Sequence, residues 1–305
     1  MTAYADVPSL GTARVATETV HFLGEGPVWD PIRDRMLWVD IMLGAVHTGL
    51  LSLDGSITPE DRYDFPDTAG AVAVSQDGEL LVAGVHRLHR RGPDGVITSG
   101  PALIGGDERR FNDGKPDPAG RFVVGTMGPG NELLLRIDGD EVGVLDDDLT
   151  LANGLAWTAD GRRLYTVDTS ARRIFVRDYD PGDGVVGERQ LFLQLEEGHP
   201  DGMTIDEEGH LWVAVWGGGC VLRVSPRGEI VSRVDVPAPH TSCPVFAGPD
   251  LDVLVITTAR ENLSPGDLEK HPLSGRLFTI RPGVRGLAPH YWNGVAPASA
   301  AVPPR

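Results

Sequence analysis

One phrase recurs along this chain: a Gly, a short apolar run, a polar turn, then a second apolar run. The clearest copies begin Gly26-Pro27-Val28-Trp29, Gly70-Ala71-Val72-Ala73, Asn112-Asp113-Gly114-Lys115, Gly154-Leu155-Ala156-Trp157 and Gly202-Met203-Thr204-Ile205. A sixth, degenerate copy runs Pro244-Val245-Phe246-Ala247 and then Val253-Leu254-Val255-Ile256-Thr257. The repeat glycines 26, 70, 114, 154 and 202 are 44, 44, 40 and 48 residues apart, the period range of propeller blades. Asp77-Gly78, Asp160-Gly161 and Glu208-Gly209 punctuate the paired runs as hairpin turns do. Third runs such as Arg173-Ile174-Phe175-Val176-Arg177-Asp178 and Cys220-Val221-Leu222-Arg223-Val224 extend each unit into a small antiparallel sheet. Six such sheets arranged radially predict an all-β, six-bladed β-propeller. A β-sandwich or an array that does not close is the competing architecture. It has little need of six copies of one phrase. The boundaries expected are an N-terminal segment at 1–17, the propeller at 18–290 and a C-terminal tail at 291–305.

The bulk numbers restrict the partners. Of 305 residues, 41% are hydrophobic and 23% charged, the balance of a soluble globular chain. The 39 Gly and 24 Pro favour short strands and frequent turns. A net charge of -17 argues against nucleic acid, whose phosphates need clustered Lys and Arg, and weakly against anionic membranes. Met1 to Val15 lacks the apolar core of a signal peptide. No apolar stretch is long enough for a transmembrane helix. Two cysteines, Cys220 and Cys243, make no disulfide framework. The expectation is a reduced, cytoplasmic protein, a monomer or weak homo-oligomer, with no nucleic-acid or membrane partner. The small, Pro-rich end from Pro297 to Arg305 is expected to fray.

The repeat also places chemistry. Residues at one phase of a closed ring sit at one end of its axis. Glu25, Asn153 and Asp201 each precede a repeat Gly, and the turn before an inner strand lies at the channel mouth. Asn112 and Asp113 share that phase in the third unit. Carboxylate and amide oxygens are hard ligands suited to calcium, magnesium or manganese, and able to hold zinc or ferrous iron. The absence of Cys and His at these positions argues against a closed structural zinc site. Taken singly, each residue reads as a turn former before it reads as a ligand, because Asn-Gly and Asp-Gly are common left-handed turn dipeptides. Glu25 does not share that explanation.

Several stretches are similar to the SMP-30/gluconolactonase family, which includes regucalcin, sugar lactonases and luciferin-regenerating enzyme. They are Leu23-Gly24-Glu25-Gly26-Pro27-Val28-Trp29, Arg110-Phe111-Asn112-Asp113-Gly114-Lys115, Gly125-Thr126-Met127, Asn153-Gly154-Leu155-Ala156-Trp157 and His199-Pro200-Asp201-Gly202-Met203. Phe246-Ala247-Gly248-Pro249-Asp250-Leu251 extends the likeness into the sixth unit. It runs in order from about residue 18 to 290. The resemblance implies a six-bladed propeller holding one divalent cation on Glu25, Asn153 and Asp201. It also implies that Arg110 and Asn112 contact sugar hydroxyls. Spacing alone leaves Arg110 equally able to pair with Asp107 or Glu108. Some members of the family use a further acid whose position falls here at Gly130, so that acid is missing; Glu132 nearby is not assigned its role.

The activity expected is metal-dependent opening of a sugar lactone to an aldonic acid. Asp201 is the candidate general base and Asp113 a weaker one. Two other readings stand beside it: a non-catalytic calcium-binding protein of regucalcin type, and a propeller hydrolase for other lactones or esters. Lys115 and Asp117 are read as a blade-edge ion pair. His199 is read as a turn residue or a neighbour of the site. Trp38, Trp157, Trp212 and Trp216 are read mostly as packing between blades, and Cys220 as a small buried residue.

Overall fold

In the computed structural model, which describes residues 4–298, short strands build six sheets, antiparallel except for one parallel outer strand on blade five. Their innermost strands are Gly24–Asp30, Val72–Val74, Arg110–Pro116, Ala152–Trp157, His199–Ile205 and Thr241–Ala247. Neighbouring inner strands touch around the ring, including the sixth against the first, so the six-bladed propeller closes. Closure leaves no long free sheet edge near the axis.

The ring is sealed by the start of the chain. Arg14–Val15 pairs antiparallel with Phe278–Ile280 as the outer strand of blade six. Ser9–Thr12 runs parallel to Ile230–Asp235 on the outside of blade five. Residues expected in a separate N-terminal segment therefore belong to the propeller sheets. The other end of the chain is also engaged. Trp292 is 2% exposed and packs with blades two and three. The segment before it straps the far end of the channel: Arg285 O accepts from Glu207 N, Trp292 N donates to Val74 O, and Asn293 N donates to Gly120 O. Leu287 to His290 line a cavity of about 380 Å³ with Val28, Trp157 and Phe246. Of the tail expected to fray, Ala298 N donates to Asp140 Oδ1 at 2.7 Å, and residues 299–305 lie outside the described residues.

The core lies between blades. Trp29, Met36 and Trp38 of blade one pack on Ala247, Val253 and Val255 of blade six. Trp212 meets Phe246 edge-on at 5.6 Å across the next interface. Trp157 is buried with Tyr179 edge-on at 5.8 Å. Trp216 differs, being half-buried at a strand end and stacked on His240 at 4.2 Å.

The repeat glycines have a different job from the one their dipeptides suggest. Gly26 has φ +47, but Gly114, Gly154 and Gly202 do not adopt left-handed backbone. They lie inside the inner strands, where the register slips as in a β-bulge. A Cβ on Gly154 would stand 2.4 Å from the backbone oxygen of Asp201, and one on Gly202 would stand 2.3 Å from Cys243 Sγ. These glycines let neighbouring blades approach at the axis. Gly154→Ala is accordingly expected to cost about 1–3 kcal/mol in thermal or denaturant unfolding. Gly105→Ala, where a Cβ meets nothing within 4 Å, is the control and should stay within about 0.5 kcal/mol.

Candidate active site at the channel mouth

A bulge near the start of five of the six inner strands, blade two excepted, re-aims the residues beside the repeat Gly. Three of these side chains fold back to cap the next amide. Gly26 N donates to Glu25 Oε2 at 2.8 Å, Gly114 N to Asp113 Oδ1 at 2.8 Å, and Gly154 N to Asn153 Oδ1 at 3.1 Å. The residues sit within strands rather than in the preceding turns, which corrects the sequence expectation. Their phase is as expected. Glu25, Asn112, Asp113, Asn153 and Asp201 are each 3–7% exposed.

Asn153 and Asp201 meet directly, the amide Nδ2 donating to Asp201 Oδ1 and to Thr169 Oγ1. Glu25 feels the charge of Asp113, and Asp201 feels the charges of both. Burial, and then the charge of Asp113, pushes Glu25 up to about 8. Burial, then Glu25 and Asp113, pushes Asp201 well above the usual carboxylate range. Burial raises Asp113 against the pull of Lys115. Among the described residues no basic side chain lies within 4.0 Å of these three carboxyls. Asp113 Oδ2 is buried without a hydrogen-bond partner. Lys115 donates instead to the backbone oxygen of Met203, so the expected pair with Asp117 is absent. Asp117 accepts from Arg121 Nε at 2.6 Å and from the Tyr179 hydroxyl.

Three buried carboxyls, one of them with an orphaned oxygen, and one amide are hard donors of the kind a divalent cation takes, although the carboxyl oxygens do not all lie within 4.8 Å of one another. A cation there would hold all three as carboxylates. The amide now turns its nitrogen toward Asp201, and oxygen and nitrogen of such an amide exchange by a half-turn.

A second acidic group is packed more tightly, with ligand atoms of Asp206, Glu208 and His210 within 4.8 Å of one another. It already has its cation. Arg223 donates to Asp206 at 2.9 and 2.7 Å and to Glu208 at 2.6 Å, and Asp206 also caps the amides of Glu208 and His210. Asp117 plays the same turn-bracing part in blade three.

Arg110 and Asn112 face the same way, as their spacing implies. Arg110 Nη1 donates to Asn112 Oδ1 at 2.8 Å, and Asn112 Nδ2 donates to Ala152 O at 3.1 Å. Asp107 and Glu108 do not pair with Arg110. Its neighbour Arg109 takes Glu132 at 3.1 Å. Glu132 is fully buried and also accepts from Thr126 Oγ1 and Gly130 N, so it braces the 128–131 loop. A Cβ at Gly130 would meet nothing within 4 Å. His199 Nδ1 donates to Thr169 O at 3.2 Å, beside the site. Sequence reasoning gave Asp113 too small a place among the buried carboxyls and missed Glu261, whose only signal is its position after the second strand of blade six.

Fold and site together define an all-β, six-bladed propeller with a buried carboxylate–amide cluster at one end of its channel. The chain belongs to the SMP-30/gluconolactonase/LRE-like family, whose model matches residues 23–260. It is 35% identical to pentonolactonase XacC of Haloferax volcanii, covering 88% of this chain and 94% of that one. It is 35% identical to a 6-deoxy-6-sulfogluconolactonase of Pseudomonas putida, over 93% and 99% of the two chains. The crystal structure of regucalcin, a calcium-binding protein of Agrobacterium tumefaciens, superposes with a TM-score of 0.87 at 31% identity, over 94% of this chain and 99% of that one. No helix among the described residues is long and apolar enough to cross a membrane.

Proposed function

We propose that this protein is a divalent-cation-dependent hydrolase that opens a sugar lactone to its hydroxy acid. The observation that carries the proposal is the cluster of buried carboxyls without a counter-cation where the inner strands begin, on the same end of the ring as Arg110, which has no carboxylate partner. The names of the lactonase relatives support the substrate class.

Glu25, Asn153 and Asp201 are the proposed ligands, with Asp113 beside them. A bound divalent cation supplies Lewis-acid polarisation of a carbonyl oxygen. Arg110, held by Asn112, is placed to donate to the hydroxyls of the ring and so to orient it. Asp201 is the proposed general base and Asp113 the alternative. The base takes a proton from water as the water oxygen bonds to the lactone carbonyl carbon. The ring C–O bond then breaks, and the departing oxygen takes a proton to become the product hydroxyl. Burial excludes bulk water from these carboxyls.

The test is hydrolysis of glucono-, galactono- and xylonolactone after chelation and after return of calcium, zinc, manganese, magnesium or ferrous iron singly. Turnover that vanishes on chelation and returns with one of them is expected. Failure of every lactone with every cation overturns the reading. The calcium-binding structural relative favours a second reading, calcium binding without turnover. Three protein ligands are few for a dedicated calcium site, which takes six to eight oxygens. Calorimetric calcium preference with no hydrolysis would establish it.

A further inference from the structure

The acid that the family resemblance would place at Gly130 is absent, yet another acidic residue, Glu261, follows the strand end at the mouth. The second strand of blade six ends at Thr258, which pairs with Thr241 at the start of the inner strand. Chain leaving that strand end lies at the mouth. Glu261 stands three residues on, in a turn fixed on two sides. Arg260 N and Glu261 N both donate to Phe22 O, at 2.9 and 3.0 Å, and Glu261 O accepts from His240 Nδ1 at 2.8 Å. His240 is itself stacked on Trp216. The backbone of Glu261 is thus held, while its half-buried carboxylate makes no hydrogen bond and no ion pair.

Arg110 is its complement. In a ring of six, blades three and six stand opposite, so Arg110 and Glu261 approach from facing sides of the mouth. The guanidinium has no carboxylate within 4.0 Å. Each group nevertheless feels the other: Arg110 counteracts the rise that burial imposes on Glu261, and Glu261 leads the charges supporting Arg110 against burial. Arg110 offers only donors and Glu261 only acceptors, they stand on opposite blades at the same end of the ring, and neither bonds the other, so a group that both donates and accepts complements the pair. A hydroxyl is such a group.

We propose that Glu261 is a specificity-determining residue that accepts hydrogen bonds from ring hydroxyls of the substrate, opposite the donor Arg110. The proposal rests on the lactonase reading above and deepens it. A fixed backbone with a free carboxylate is preorganised for such recognition. A site built to bond a substrate hydroxyl discriminates against the analogue that lacks it.

The experiment compares wild type and Glu261→Gln, which keeps shape and removes charge, on D-glucono-1,5-lactone and on dihydrocoumarin, a lactone without ring hydroxyls. The expected result is a fall in kcat/KM of about 10–100-fold on gluconolactone, mostly in KM, against at most about threefold on dihydrocoumarin. Equal factors on both substrates, or no change on either, overturn the proposal. Binding of methyl β-glucopyranoside, a ring the site does not hydrolyse, is measured by calorimetry in parallel. Weaker binding by about tenfold or more in the variant supports the role of Glu261 even if neither lactone is turned over and the hydrolase reading falls. Equal affinity, or no affinity in the wild type, overturns it.

Discussion

Asp201→Asn is expected to abolish lactone hydrolysis and, at the same time, to raise the stability of the metal-free protein. Asp201 is 4% exposed, and its charged form is opposed first by burial and then by Glu25 and Asp113. Asparagine keeps the shape and removes one of three mutually repelling charges. The metal-free variant should therefore melt above the wild type at pH 8, where the repulsion is greatest. The variant also loses a carboxylate ligand and the proposed base. Cation affinity should fall by at least about a hundredfold and kcat/KM by at least about a thousandfold. Calorimetric titration, chelator-controlled melting and initial rates read the three quantities. A fall in stability together with activity would mark Asp201 as a structural residue and remove it from the site.

Chelation should destabilise the protein strongly at pH 8 and little at pH 5. Glu25 is pushed up to about 8 from an ordinary 4.5, and Asp113 and Asp201 are raised as well. Folded values above unfolded ones mean that the native state holds more protons between them. The stability of the metal-free protein is then full below about pH 4.5 and falls as pH rises through about 8. Shifts of this size correspond to a difference on the order of a few kcal/mol. A bound cation reverses the sign by favouring the carboxylates, so the gap between loaded and chelated melting temperatures should widen from pH 5 to pH 8. A gap independent of pH would contradict a cation held by these carboxyls. Stabilisation confined to low pH would contradict it equally.

Stability and function pull against each other at this mouth. Burying three carboxyls without a counter-cation opposes folding, whereas the Asp206–Arg223 and Asp117–Arg121 groups carry their own cations and brace turns. The contrast separates a site from a strut, although both look alike as clustered acids in sequence. The aromatic residues divide in a similar way. Trp38, Trp157 and Trp212 fill buried inter-blade space, while Trp216 stands half-exposed at the mouth with His240 upon it. Cys220 is buried as expected, and burial pushes its thiol up to about 12. A raised thiol disfavours the thiolate, the nucleophilic form.

The repeat period made the blade count legible, because each blade is a local unit whose strands follow one another in the chain. It also made legible that Glu25, Asp113, Asn153 and Asp201 occupy equivalent places, because phase within a repeat is a property of covalent sequence. The pairing of Arg110 with Asn112 followed from the two-residue period of a strand. Less was legible about the glycines, whose dipeptides suggest turns. Inside a closed ring they serve close approach instead, a constraint imposed by a neighbouring blade some 45 residues away. The N-terminal strands were hidden for the same reason. Arg14–Val15 is short, and its partner Phe278–Ile280 lies at the other end of the chain.

By itself, then, the sequence determined the number of blades, the end of the channel where oxygen ligands gather, and which residue of each repeat points there. Tertiary structure alone decided that Lys115 turns to Met203 rather than to Asp117, that Glu132 is spent on bracing its loop, and that blades three and six, which carry Arg110 and Glu261, stand opposite each other. The physical reason is that periodicity records only what is local to a blade. Opposition across the axis joins residues about 150 positions apart, on loops that break the repeat, and it exists only once the ring has closed.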